Sequence, residues 1–213
     1  MKTILFQGDS ITDAERVKAN GASAGCGYPL LVKSQLGFEN PGEYTFFNRG
    51  VSGNRVLDMY ARIVNDFLNL KPDYISILIG VNDIWHGIDW NNGTGLERYE
   101  KIYNILIEEL KAELPDTRIM IMEPFVLEGR ATANTEEQPD RLETFKSGVS
   151  DVAKAARRVA EKHSLKFVEL QQKFDDACKL AKPDYWLSDG VHPSPMGHEL
   201  IKREWIKAFN EIR

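Results

Sequence analysis

The sequence predicts an α/β protein built on a five-stranded parallel sheet with helices on both faces. Strand-like apolar runs alternate with segments of helical periodicity along all 213 residues, and most of the runs end in a small or polar turn. No repeat, low-complexity tract or linker interrupts the alternation. Alternating strands and helices are typical of parallel sheets with right-handed crossovers. The length favours one domain spanning residues 1–213.

Five runs of apolar, β-branched or aromatic residues predict the strands, which are residues 4–6, 44–48, 74–79, 118–122 and 165–170. The third run is apolar almost throughout, as expected of a central parallel strand covered on both faces. Turns containing Ser10, Gly53 and Asn82 follow the first three strands. Because parallel sheets carry their sites at the carboxyl ends of the strands, we expect these three residues at one edge of the sheet.

Apolar residues at the helical spacing predict six helices, which are residues 29–36, 56–68, 99–110, 142–163, 171–180 and 196–212. A proline begins the first helix, and prolines follow the second and third, where they end a helix. The polar, Gly-rich residues 15–28 predict a loop on the side of the sheet that carries Ser10. Residues 128–140 are polar and lack periodicity, which is compatible with either a lid or an intersubunit arm.

Composition narrows the classes of function. Hydrophobic residues make up 42% of the chain and charged residues 28%, and the net charge is −5 without a basic run, which argues against a nucleic-acid partner. No apolar run approaches the roughly 20 residues of a membrane span or the about 7–15 of a secretory signal. Cys26 and Cys178 form neither a disulfide framework nor a metal-binding pattern. We therefore predict a cytoplasmic protein without a membrane partner.

Ser10 is the candidate nucleophile, and the stretch around His192 offers a base. Asp189 precedes His192 by three residues, and on a tight turn a carboxylate at that spacing reaches the imidazole and fixes its tautomer. The far ring nitrogen is then free to accept the proton of Ser10. Taken alone, a pair with this spacing is more often an ordinary turn that carries a surface histidine.

Gly53 and Asn82 are candidate donors for a developing oxyanion. Glycine lets a backbone N–H approach a substrate closely, and an asparagine amide donates without a charge to titrate. The N–H of Ser10 would be the third donor, and one such donor is typically worth about 3–4 kcal/mol in the transition state. Each motif alone fits a simple turn better. Their occurrence together, each at a predicted turn, favours the catalytic interpretation.

Four blocks of this chain resemble the SGNH, or GDSL, hydrolases in order and spacing, and they are GDSITD (8–13), NRGVSG (48–53), GVND (80–83) and DGVHPSPMGH (189–198). The resemblance implies a flavodoxin-like three-layer α/β/α sandwich and no metal or organic cofactor. It also implies that Ser10 is the nucleophile and that Asp189 and His192 are its triad partners. The oxyanion hole would be formed by the Ser10 N–H, Gly53 and Asn82. The stretches NRGVSGN, YISILIGVNDIW and MEPF are similar to the bacterial acetylxylan esterase and carbohydrate acetylesterase branch.

Aromatic residues near these blocks suggest a substrate pocket, because flat rings suit sugar faces or close a small acyl site. The pocket candidates are Trp85, His86, Tyr185, Trp186 and, beside the nucleophile, Asp9. Core packing or an oligomer contact would explain the aromatic residues equally well. Asp9, Asp13 and Asp83 fit better as turn stabilisers than as catalytic acids, and His163 and His198 as structural residues.

The expected function is that of a serine esterase acting through an acyl-enzyme on Ser10. Short acyl groups are favoured because no long apolar lid is evident, and the resemblance to the acetylesterase branch implies acetyl groups on carbohydrates such as xylo-oligosaccharides. The alternatives are lipase-like, thioesterase or lysophospholipase activity on longer chains, a metal-dependent phosphohydrolase using the strand-end carboxylates with His192, and an inactive carbohydrate-binding protein. The partner is then a small-molecule or oligosaccharide ester, and homo-oligomerisation is left open.

Overall fold

A computed structural model describes residues 1–213 and contains a five-stranded, wholly parallel sheet. The strands are β1 (Lys2–Gly8), β2 (Tyr44–Asn48), β3 (Tyr74–Leu78), β4 (Arg118–Met122) and β5 (Lys166–Val168). Their spatial order is β2-β1-β3-β4-β5, and every neighbouring pair is parallel. This is the flavodoxin-like order, so the predicted fold class is confirmed.

Helices connect the strands and cover both faces of the sheet. They are α1 (Ser10–Asp13), α2 (Tyr28–Glu39), α3 (Val56–Tyr60), α4 (Ile63–Asp66), α5 (Val81–Trp90), α6 (Leu96–Glu113), α7 (Arg141–Lys162), α8 (Gln171–Ala177), α9 (Pro183–Trp186) and α10 (Pro195–Ile212). No helix combines the length and the apolar character needed to cross a bilayer.

One predicted helix and one predicted turn are wrong. The single helix predicted over residues 56–68 is divided into α3, α4 and a 3-10 turn at Leu68–Leu70. Arg62 lies at the break with φ −112° and ψ 20°, and its guanidinium donates to the backbone oxygens of Gly8 and Arg49 instead of lying along a helix surface. The turn predicted to contain Asn82, at residues 80–83, is instead the start of α5, which begins at Val81.

Alternating residues of each central strand point to opposite faces of the sheet and enter separate apolar layers. Ile4 and Phe6 of β1 belong to the layer that contains α2 and α10, and Leu5 belongs to the layer that contains α3, α6 and part of α7. The ring of Trp205 in α10 packs 5.4 Å from that of Phe6, measured between centroids. This contact fixes α10 across the strand that ends at the candidate nucleophile.

The strand order reverses between β1 and β3, which is where open parallel sheets form a crevice at their carboxyl edge. Ser10 follows β1, Gly53 follows β2 and Asn82 follows β3, so the three predicted turns flank this reversal point. His192 lies in the loop before α10 and reaches the same edge from the far end of the chain.

Candidate active site

Ser10, His192 and Asp189 form a continuous hydrogen-bonded chain. Ser10 Oγ lies 2.9 Å from His192 Nε2, although the two residues are 182 positions apart in the sequence. His192 Nδ1 lies 2.8 Å from Asp189 Oδ2. The imidazole side chain is 40% exposed, so an incoming molecule can reach it. The geometry allows a proton to pass from the hydroxyl to an imidazole that a carboxylate orients.

Charge and hydrogen bonding set the ionisation of His192 and Asp189. The hydrogen bond to Asp189 raises the pKa of His192 above its ordinary value, against the effect of burial. Burial acts to raise the pKa of Asp189, but hydrogen bonds from the His192 ring and from the backbone N–H groups of His192 and Val191 bring it down to about 2. Asp189 is therefore ionised at neutral pH, and it stabilises a protonated imidazole.

Residues 127–132 support the turn that carries Asp189. The backbone N–H groups of Leu127 and Ala131 donate to the oxygens of Gly190 and Asp189, at 2.9 and 2.8 Å respectively. A Cβ on Gly129 would lie 2.2 Å from the nitrogen of Gly190, so only glycine allows this close approach. The start of the polar segment 128–140 is therefore packed against the loop that carries Asp189 and His192.

The turn after β1 is held by its neighbouring strand turns. A Cβ on Gly8 would lie 2.3 Å from the oxygen of Leu78, which explains why glycine precedes the Asp-Ser pair. The carboxylate of Asp13 accepts bonds from the backbone N–H of Ser52, at 3.1 Å, and from its hydroxyl, at 3.0 Å. Asp13 thus joins the end of α1 to the residue before Gly53.

Gly53 and Asn82 are both adjacent to Asn54, Gly53 along the chain and Asn82 through a hydrogen bond. Gly53 has φ +80°, and a Cβ there would meet no protein atom within 4 Å, so open space lies in front of it. Asn82 is buried in the first turn of α5, where its Nδ2 donates to the oxygen of Asn54 at 3.2 Å. Gly50 differs, because a Cβ there would lie 2.3 Å from the nitrogen of Asp13. Gly50 is thus a packing residue, and Gly53 is the glycine with room beside it.

Asp9 and Asp83 are buried carboxyl groups near the candidate nucleophile. Asp9 Oδ1 accepts the N–H of Ile11 at 3.0 Å and caps α1, and its Oδ2 has no hydrogen-bond partner. Both oxygens of Asp83 accept the N–H of Val56 at 3.2 Å. Burial raises the pKa of each group to about 7. Asp9, a pocket candidate by sequence, is fully buried and presents no surface to an incoming molecule.

Of the four aromatic pocket candidates, Trp85 lies beside the triad, with its ring centroid 6.0 Å from that of His192. His86 lies one position further along α5 and packs its ring against Trp90. Tyr185 contacts Trp186, and Trp186 lines a cavity of about 620 Å³ between α8 and α10 that contains none of the triad residues. The structure thus places Trp85 beside the triad, His86 against Trp90 and Trp186 at a separate cavity.

Comparison with known proteins agrees with this geometry. Residues 6–200 match the GDSL-like lipase/acylhydrolase family. The chain belongs to this family. It is 32% identical to an acetylxylan esterase of Geobacillus stearothermophilus, over 96% of this chain and 92% of that protein. As a member of the family, the protein is a carboxylic ester hydrolase that acts on ester substrates.

Solved structures of other family members have the same fold. A protein of Parabacteroides merdae described as a GDSL-like lipase superposes with a TM-score of 0.89, at 37% identity, over 97% of this chain and 94% of the other. The Geobacillus stearothermophilus acetylxylan esterase superposes with a TM-score of 0.84, at 31% identity, over 97% and 93% of the two chains. Catalytic mutants of that esterase replace an aspartate or a serine by alanine.

Two further histidines of this hydrolase make structural contacts. His198 is buried, and its Nδ1 accepts the N–H of Tyr28 at 3.1 Å. Burial lowers the pKa of His198 to about 4, and the nearby charge of His192 acts in the same direction. His163 Nε2 lies 2.9 Å from Asn104 Oδ1, near the start of β5. No three His, Cys, Asp or Glu side chains of the chain are grouped so that they could hold a metal ion.

Sequence reasoning missed the residues that support the hydrolase site. Arg62 donates to the oxygen of Gly8 and to Asn54 Oδ1, and so joins the turns after β1 and β2. Asn48 donates to the oxygen of Thr12 at 2.6 Å. These residues contact backbone groups of distant turns, and their sequence context carries no signal for such contacts. The helix α5, by contrast, did have a sequence signal, because its apolar residues follow the helical spacing, namely Val81, Ile84, Trp85 and Ile88.

Proposed function

We propose that this hydrolase removes acetyl groups from carbohydrate esters, such as acetylated xylo-oligosaccharides, through an acyl-enzyme on Ser10. The observation that carries the proposal is the unbroken chain from Ser10 Oγ through the His192 ring to Asp189, with contacts of 2.9 and 2.8 Å. These are distances at which a base can take the proton of a nucleophile.

In the proposed reaction, Ser10 Oγ attacks the ester carbonyl as His192 Nε2 accepts the hydroxyl proton. The negative charge that develops on the carbonyl oxygen is stabilised by the N–H groups of Ser10 and Gly53 and by the Asn82 amide. His192 then gives its proton to the departing alcohol. Water, deprotonated by the same imidazole, attacks the acyl-enzyme and releases the acid. Asp189 remains ionised and stabilises the imidazolium.

Two lines of support favour a short acyl group on a sugar. The relatives include an enzyme described as an acetylxylan esterase, which matches this chain over nearly its full length. In addition, two surface cavities of about 610 and 620 Å³ contain neither Ser10 nor His192, so neither offers an acyl tunnel to the nucleophile. An acetyl group needs no such tunnel, whereas a long chain would need apolar cover.

The test is a series of p-nitrophenyl esters with acyl chains of two to twelve carbons, followed by acetylated xylo-oligosaccharides. We expect kcat/KM to be highest for the acetyl ester and acetate to be released from the oligosaccharide, with Ser10→Ala as the inactive control. A chelator should change neither rate. Preference for eight or more carbons would instead favour lipase-like or thioesterase activity and would overturn the proposal.

A further inference from the structure

One face of α5 leads from the candidate oxyanion donor to the end of the helix. Asn82, His86 and Trp90 follow one another at intervals of four residues, so their side chains lie along the same side of α5. Eight residues of α-helix span about 12 Å at 1.5 Å per residue. Trp90 therefore lies about 12 Å along the helix from Asn82, the candidate donor to the ester carbonyl.

Trp90 is exposed, yet it is held in a defined position. Its side chain is 63% accessible, whereas large aromatic residues are normally well covered. The His86 ring packs edge-to-face against it, with centroids 4.8 Å apart and planes at 84°. Asn91, at φ 50°, ends the helix by donating its N–H to the oxygen of His86. An indole face is thus open to solvent beside the candidate site.

Charged and hydrogen-bonding groups lie near His86, against which the indole packs. Arg55 Nη1 donates to the backbone oxygen of Asn92 at 2.7 Å and to its Oδ1 at 3.0 Å, and the guanidinium also pairs with Asp58. Burial lowers the pKa of His86, and the charge of Arg55 lowers it further. A neutral imidazole offers both a donor and an acceptor. The His86 side of the indole is therefore polar, unlike the wall of an acyl channel.

This combination suits a sugar ring. A pyranose presents a face of C–H groups, which packs on an aromatic ring, and an edge of hydroxyl groups, which need both donors and acceptors. An acetyl group cannot extend about 12 Å from the nucleophile, so whatever reaches Trp90 must be another part of the substrate. A long acyl chain would reach it too, but it would lie among charged groups that it cannot desolvate favourably.

We propose that Trp90 and His86 form a binding platform for a pyranose ring of the glycan chain, one or more sugars away from the ester that is cleaved. The inference rests on the proposed function, because it assigns the alcohol side of the same substrate. Trp90 is here a specificity-determining residue, since it contacts substrate remote from the reacting atoms.

The test compares Trp90→Ala, Trp90→Phe and, as a matched control, Phe38→Ala, which removes an aromatic ring that is 87% exposed on α2. The measured quantity is the ratio of kcat/KM for an acetylated xylo-oligosaccharide to kcat/KM for p-nitrophenyl acetate. We expect Trp90→Ala to lower this ratio roughly three- to tenfold through a higher KM, in line with the loss of one aromatic contact. Trp90→Phe should recover most of the ratio, and Phe38→Ala should leave it unchanged.

An unchanged ratio in Trp90→Ala would overturn the platform, and so would a loss that affects only esters with long acyl chains. A change of oligomeric state in Trp90→Ala, measured by light scattering, would assign the residue to a subunit contact instead. A separate binding measurement distinguishes failure of the sugar platform from failure of the proposed acetylesterase activity. Unesterified xylo-oligosaccharide is titrated into Ser10→Ala protein with and without Trp90→Ala. Weaker binding in the double variant supports the platform even if no acetyl ester is cleaved, and equal or absent binding refutes it.

Discussion

Replacing Asp189 by asparagine tests the proposed catalytic chain at its orienting group. Asp189 Oδ1 accepts the backbone N–H groups of Val191 and His192, and Oδ2 faces the ring nitrogen Nδ1 at 2.8 Å. In Asp189→Asn the amide oxygen can keep the two backbone bonds, which places the NH₂ group opposite Nδ1. Nδ1 must then accept a hydrogen bond, so the ring proton moves to Nε2 and points at Ser10 Oγ. An imidazole in that tautomer cannot accept the serine proton.

The expected loss in kcat/KM is about 10³–10⁴-fold, or about 4–5.5 kcal/mol of transition-state stabilisation. The pH dependence should change as well. In the wild type, kcat/KM rises as His192 loses its proton, with a midpoint above the ordinary pKa because Asp189 favours the protonated ring. Without the carboxylate, burial is the main remaining influence and lowers the pKa, so the residual activity should have its midpoint at a lower pH.

The assay is hydrolysis of p-nitrophenyl acetate from pH 5 to pH 9 at matched protein concentrations. Asp116→Asn, at an exposed turn before β4, is the matched control and should behave as the wild type. Urea unfolding at pH 7 checks that Asp189→Asn is folded. A loss of less than tenfold in the folded variant, or a midpoint that does not move, would refute the proposed role of Asp189.

Three more outcomes are expected. Ser10→Ala should abolish esterase activity and prevent labelling by a serine-directed phosphonate, which should otherwise add once per chain by mass spectrometry. Asn82→Ala should lower kcat about 10²–10³-fold while changing KM little, because the donor acts on charge that develops only in the transition state. Burial raises the pKa of Asp9 from 3.8 to about 7, so native protein holds a proton that unfolded protein releases, and stability falls as the pH rises through that range. Asparagine does not titrate, so Asp9→Asn lacks this loss. The free energy of unfolding of Asp9→Asn minus that of wild type, measured with urea, should therefore increase by about 2–3 kcal/mol from pH 5 to pH 8.

Local sequence signals predicted the sheet well. All five strands were located from apolar runs, and β2 and β4 begin and end at the predicted residues. Buried parallel strands carry such runs because both of their faces are covered. The helix prediction failed at residues 56–68, where the apolar spacing continues through Arg62. The structure ends the first helix there, because the Arg62 side chain bonds to the turns after β1 and β2, a tertiary contact that periodicity does not report.

For the candidate site, the sequence indicated residue types more readily than supporting contacts. Ser10, His192 and Asp189 were indicated by short motifs, and the structure brings them into hydrogen-bonding distance. The burial of Asp9 could not be read from the sequence, since an aspartate beside a nucleophile suits a polar pocket equally well. Gly129 was also missed, because its requirement comes from the approach of Gly190, which is 61 residues away.

The meeting of residues 10 and 192 depends on packing remote from the chemistry. β1 is an interior strand of the sheet, between β2 and β3, and α10 lies across the face of the sheet that carries Phe6. Trp205 packs on Phe6 at a tilt of 42° and stacks on Phe209, with centroid distances of 5.4 and 4.9 Å, so the register of α10 against β1 is set by buried rings. Because α10 begins at Pro195, only three residues beyond His192, a shift of the helix would carry the imidazole with it. The 2.9 Å contact between Ser10 and His192 therefore depends on the apolar core as much as on the loop that carries His192.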